Sequence, residues 1–157
     1  MSTALIKCAI IVIMEQISFT LEFDSTWSLT PPTIEIVNNN IQICPPTEIS
    51  KLTRLTLPLE LSSNISKGCL EIIRSNHDGV TDQTCRLVSL IADDINLQKI
   101  LDHTKFYPIY PRPWYDEQVF QGKDWPKFHY GWIEWGWNGT WQMEYSTPFY
   151  DWLLKKI

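Results

Sequence analysis

A chain of 157 residues with a formal net charge of −5 is one domain by length, and its scattered Lys and Arg leave no footprint for nucleic acid. No run reaches the ~18 apolar residues needed to cross a bilayer as a helix. The four cysteines show neither a Cys-x-x-Cys spacing nor a His at metal-ligand distance, which argues against a zinc site.

Residues 4–13 form an apolar run with no basic n-region and no clear cleavage site. Met14 then opens directly into a strand pattern. Residues 1–13 are therefore expected to be an N-terminal extension from a mis-assigned start, with an extra edge strand or a signal or anchor as the alternatives. Residues 14–157 are read as a single domain.

Along residues 16–23, Ile17, Phe19, Leu21 and Phe23 alternate with polar side chains, the pattern of a half-buried antiparallel strand. A loop with Pro31-Pro32 follows. Residues 33–37 resume as a strand, Asn38-Asn39-Asn40 turns, and residues 41–44 return until Pro45-Pro46 ends the hairpin. Leu55, Leu57, Leu59 and Leu61 share the next face. Pro58 on the opposite face predicts an edge or a bulge there.

Residues 69–74 and 84–91 read as strands joined by a polar loop. Leu87, Ser89 and Ile91 against Val88 and Leu90 predict burial on both faces of the second. A hairpin turning at His77 would set Cys69 opposite Cys85, near disulfide distance, although a reduced buried pair is favoured. Residues 92–101 leave the sheet as a short strand or a helical turn.

From about residue 103 the character changes: every aromatic except Phe19, Phe23 and Trp27 lies at or after Phe106. The Pro-rich stretch 106–114 is predicted to run extended over the sandwich, pinned by its rings. Residues 113–121 read as a short helix with Pro at its start and Gly122 past its end. Asn138-Gly139 is a strong hairpin-turn signal. Thr147-Pro148 reads as an N-cap with Pro at the first helical position, and residues 148–156 as a helix with Phe149, Trp152 and Leu153 on one face. These elements predict a mainly β, antiparallel β-sandwich of jelly-roll type, with an aromatic-rich C-terminal extension forming a second layer over the sheet and a short terminal helix.

Three side-chain sets bear on chemistry. Trp27, Trp137 with Asn138, and Trp141 lie in or beside loops, and a ring beside an amide suits sugar stacking with hydroxyl hydrogen bonds; the alternative is that these rings fill the core. Asp24, Asp78 and Asp82, with Asp93 and Asp94, lie at strand ends where oxygen ligands could converge on calcium. Asp78-Gly-Val-Thr-Asp82 lacks the EF-hand repeat, and solvated turn residues are the simpler reading. Glu134 and Glu144 flank the predicted Asn-Gly turn, so a glycosidase pair is the remote catalytic option. No nucleophile elbow, phosphate loop or His-Glu-x-x-His is present, and the expectation is a non-enzyme. Asn64-Ile-Ser66 and Asn138-Gly-Thr140 match the glycosylation sequon.

Ser18-Phe-Thr-Leu-Glu-Phe-Asp24 with Trp27 and Pro31-Pro32, Asp82, Phe106-Tyr-Pro-Ile-Tyr-Pro-Arg-Pro-Trp114, Glu117-Gln118, Asn138-Gly-Thr-Trp141 and Ser146-Thr-Pro-Phe-Tyr150 together resemble a family of small proteins encoded by T4-like tailed phages of marine bacteria. The chain departs from that pattern at Trp137, where the family has His, and in a shorter loop around Asp82. The front half is more loosely similar to calcium-dependent xylan-binding jelly-roll modules. The resemblance implies a non-catalytic, virion-associated tail or capsid accessory protein that contacts virion proteins or a host-surface glycan, found in the virion or in the host cytoplasm during assembly. A secreted calcium-dependent carbohydrate-binding module is the alternative it implies.

Overall fold

The alternation around Ile17 folds into β1 (Met14–Thr26), with Ile17, Phe19, Leu21 and Phe23 all buried. The computed structural model describes residues 13–77 and 79–157. The expectations for residues 1–12 and for Asp78 therefore lie outside the described residues. β2 (Thr33–Asn38) and β3 (Ile41–Glu48) form the expected hairpin. Asn39 and Asn40 take φ of 49° and 64° at its tip, the left-handed pair that a two-residue hairpin turn requires. Pro45-Pro46 do not end it. They sit within β3, which is tolerated because β3 is an outer strand and the register shifts beside it.

β4 (Thr53–Ser62) pairs with β1 and, as Pro58 predicts, lies at the edge of its sheet. β5 (Gly68–Ser75) and β6 (Thr84–Ala92) are where the sequence reading fails. They do not pair with each other: β5 joins β2 in one sheet and β6 joins β1 in the other. The loop between them crosses the sandwich, so Cys69 and Cys85 belong to different sheets and both are free thiols. The burial expected on both faces of β6 is not found, since Val88 is exposed. A register shift against Glu22/Phe23 changes the strand's phase, so Leu87 and Leu90 are both buried.

Residues 92–101 supply both predicted alternatives, β7 (Ile95–Asn96) and the single turn α1 (Gln98–Leu101). The Pro-rich stretch opens as β8 (Lys105–Pro108), a strand rather than an overlay, because its first residues pair with the chain around Trp141. Next come α2 (Trp114–Phe120), β9 (His129–Tyr130), β10 (Glu134–Trp135), β11 (Gly139–Tyr145) and α3 (Phe149–Leu154).

Asn138-Gly139 does not turn a hairpin. β10 pairs with β6 in one sheet while β11 pairs with β5 and β8 in the other. Gly139 is required for closeness instead: a Cβ there would stand 2.5 Å from the Tyr107 carbonyl oxygen and 2.6 Å from the Phe106 ring. One sheet runs β10-β6-β1-β4, with β7 beside β6, and the other β3-β2-β5-β11-β8-β9. Every pairing is antiparallel. Both long outer strands carry proline, Pro58 in β4 and Pro45-Pro46 in β3, and the remaining outer strands, β7, β9 and β10, are two residues long.

Between the sheets, Phe106 stacks on Trp135 at 5.4 Å between ring centroids, and the Trp141 indole donates to Thr104 Oγ1 at 3.0 Å. Thr147 is not the helix cap. Its hydroxyl donates to the Ser62 carbonyl at 2.8 Å, Pro148 takes the cap position, and the Glu15 carboxylate accepts from the Phe149 N–H at 2.9 Å. An acid there suits the helix dipole. Phe149 and Leu153 are buried, with Phe149 edge-on to Phe19 at 5.5 Å.

Candidate functional site

Leaving β8, the chain is tied by the Ile109 N–H donating to the Asn138 carbonyl at 2.7 Å. Prolines 108, 111 and 113 then restrict its path, because each fixes φ and removes a donor. The last of these opens α2, which Gly122 at φ 77° closes. α2 buries none of its residues, so ring contacts hold it in place.

Those rings converge on Tyr110. It stacks on Tyr115 at 5.2 Å and 6°, meets the edge of Trp137 at 5.4 Å and lies 6.0 Å from Trp125. Trp114 stands 5.2 Å from both Trp125 and Trp137. The Tyr110 hydroxyl donates to the Pro126 carbonyl and lies 3.1 Å from His129 Nε2. Burial raises the Tyr110 pKa, with Tyr115 adding to the effect, and burial lowers that of His129. His129 stacks on Trp132 at 3.6 Å.

All five rings are half-buried, so each keeps part of its surface at the solvent boundary. Beside them lies a surface pocket of about 500 Å³ lined by Pro108, Ile109, Tyr110, Arg112, Tyr115, Trp125 and Lys127. The Arg112 guanidinium lies 4.9 Å from the Tyr115 ring centroid and pairs with Asp116. A second pocket, of about 380 Å³, lies between β11 and α3. There Lys67 and Glu144 are paired at 3.3 Å, and its rings, Tyr145 and Trp152, pack on the buried Phe149 as part of the core.

The predicted residues fall differently. Trp137 belongs to the cluster. Asn138 is beside it, but its Oδ1 accepts from Arg74 Nη1 at 2.7 Å and from the His77 N–H at 3.0 Å. That amide holds the corner of the fold. Trp141 is corrected outright: it is fully buried between the sheets and offers no ring face to a ligand. Trp27 is 40% exposed, with its indole donating to the Ser50 carbonyl at 3.0 Å. Tyr110, Trp114, Tyr115 and Trp125 were not singled out as site residues. The signal was available in the aromatic density of residues 106–125.

Asp78 lies outside the described residues, and the other acidic candidates form no ligand group among those described. Asp24 pairs with Arg86 at 3.1 Å and accepts from the Ser25 N–H at 2.9 Å. Asp82 is exposed. Calcium takes 6–8 oxygen ligands, and among the described residues no group of three His, Cys, Asp or Glu could hold a metal ion. Glu134 lies in the sheet of β6 and Glu144 in that of β5, so the hairpin that would have faced them does not form.

Fold and pocket together define an antiparallel two-sheet sandwich with an aromatic surface on its C-terminal extension. This sandwich is similar to the solved structure of vCBM60, a carbohydrate-binding module, in complex with galactobiose. The TM-score is 0.51 at 8% identity, covering 80% of this chain and 95% of that one. At this identity the likeness concerns the fold. No protein-family model and no curated protein matches the chain. Among the described residues, no helix is long and apolar enough to cross a membrane.

Proposed function

We propose that this protein is a non-catalytic binding module that takes carbohydrate on the pocket formed by Tyr110, Tyr115 and Trp125. The observation that carries this reading is five half-buried rings, from separate segments, meeting beside an open pocket. A pyranose has an apolar C–H face and a rim of hydroxyls. Half-buried rings meet the first at little entropic cost, and the polar pocket wall meets the second. The likeness to a carbohydrate-binding module supports the same reading at the level of fold.

Electrophoresis through gels containing single polysaccharides tests it. At least one polymer should retard the protein, and Tyr115→Ala or Trp125→Ala should weaken binding about tenfold, equivalent to about 1.4 kcal/mol, with an unchanged melting temperature in at least one variant. Migration unaffected by every polymer refutes the reading. Binding through ring faces should also persist in EDTA. Loss on chelation, reversed by calcium, would restore a metal role for Asp24, Asp78 and Asp82.

A second reading is contact with protein in a phage particle, in line with the sequence resemblance. It is favoured by Val119 and Phe120 on α2, which are 51% and 92% exposed, an apolar pair of the kind protein partners cover. Mass spectrometry of gradient-purified particles should then find this chain, and its absence from them removes this reading.

A further inference from the structure

The charge lining the pocket narrows the ligand class. Although the whole chain carries −5, the pocket wall holds Arg112 and Lys127 and no carboxylate. Arg112 is tied to Asp116 and to the Tyr115 ring. Lys127 makes no ion pair among the described residues, so its ammonium is the uncommitted charge at the site. The lining is also lopsided in hydrogen bonding. Ammonium and guanidinium donate only, and the Tyr110 hydroxyl is already used on the Pro126 carbonyl. Neutral sugars present hydroxyls that both donate and accept. A wall that supplies donors and no acidic acceptor matches a ligand whose polar edge accepts only.

We propose that the pocket selects acidic glycans, stacking a uronate ring on Tyr115 and Trp125 and placing its carboxylate on Lys127. This rests on the carbohydrate reading above and sharpens it. An ion pair between a mobile ammonium and a carboxylate at a half-open site is screened by salt, so binding should weaken with ionic strength. Ring stacking alone would not.

The experiment compares gel retardation by polygalacturonate and alginate with retardation by their esterified forms, which keep the backbone and lose the charge. The acid forms should bind at least tenfold more tightly at low salt. Lys127→Gln should bring binding of the acid forms down to that of the esters. Lys127 is exposed, so the substitution does not disturb the core, and Lys127→Glu should reverse the preference. Equal retardation by acid and ester, or a preference that survives Lys127→Gln, overturns the assignment of charge and leaves the carbohydrate reading intact. Retention by neutral polymers alone has the same meaning. Retention by no polymer overturns both.

Discussion

Replacing Arg74 tests how the aromatic corner is held. Its side chain is buried at 1% exposure, and no carboxylate pairs with it among the described residues. Burial, opposed in smaller part by Cys85, lowers its pKa to about 10. It donates to Asn138 Oδ1 at 2.7 Å, to Gln83 Oε1 at 2.5 Å and to the Gln83 carbonyl at 3.3 Å. Gln83 in turn donates to the Thr30 carbonyl at 2.6 Å, so one guanidinium ties three loops at this end of the sandwich. Arg74→Met keeps most of the volume and strands two acceptors on Gln83, while Asn138 retains the His77 N–H. Each stranded acceptor costs about 1–3 kcal/mol, and several kcal/mol return because a lone cation is no longer desolvated. The net loss is about 2 kcal/mol, a fall of about 4–8 °C in melting temperature for a domain of this size. Arg74→Ala adds lost packing and should reach about 4 kcal/mol. Arg74→Lys should resemble Met, since one ammonium cannot reproduce the planar fork that spans Asn138 and Gln83. Thermal melts and guanidinium titrations read the stability, and Trp137, next to Asn138, should lose its fixed position. A melting temperature that rises in Arg74→Met would refute the reasoning, because desolvation would then outweigh the ties.

Gly139→Ala should destabilise by about 3 kcal/mol or more, since the new methyl meets the Tyr107 carbonyl at 2.5 Å and that backbone belongs to the paired β8; a wild-type melting curve counts against the close approach. Tyr150 is held protonated, its pKa pushed up to about 12 by burial and by its hydrogen bond to Asp93. A raised folded pKa gives stability that is present below pH 10 and lost as pH rises to about 12, so Tyr150→Phe should flatten the alkaline limb of a stability-versus-pH curve. Burial also raises the thiols of Cys69 and Cys85 to about 11 and about 12. At pH 8 both should react with disulfide reagents far more slowly than in guanidinium, and native Cys85 labelling at the denatured rate would contradict its place in the core.

Periodicity carried the strands, and topology escaped it. The faces of β1 and β4, the edge position implied by Pro58, the Asn-rich turn after β2 and the limits of α2 were all readable, because each is set by neighbours in sequence. The partners of β5, β6, β10 and β11 were not. Local pattern makes a hairpin the default for sequential strands, yet here the β5–β6 and β10–β11 connections both cross between sheets. Asn138-Gly139 shows why a turn signal misleads: its glycine admits a neighbouring carbonyl and its amide satisfies Arg74, and both demands come from residues distant in sequence. Trp141 and Trp137 were indistinguishable as letters. Pairing of β11 with both β5 and β8 encloses the first, while the second lies before that strand and stays at the surface. The pocket itself was written as ring density in residues 106–125, which reads equally well as filler until the Pro-rich path is known.

Proline in both long outer strands leaves the body poorly suited to lateral growth. A strand arriving from another molecule finds gaps in the donor row on β3 and β4, and only two residues to grip on β9 and β10. Copies of this protein can therefore crowd together without templating one another into fibrils.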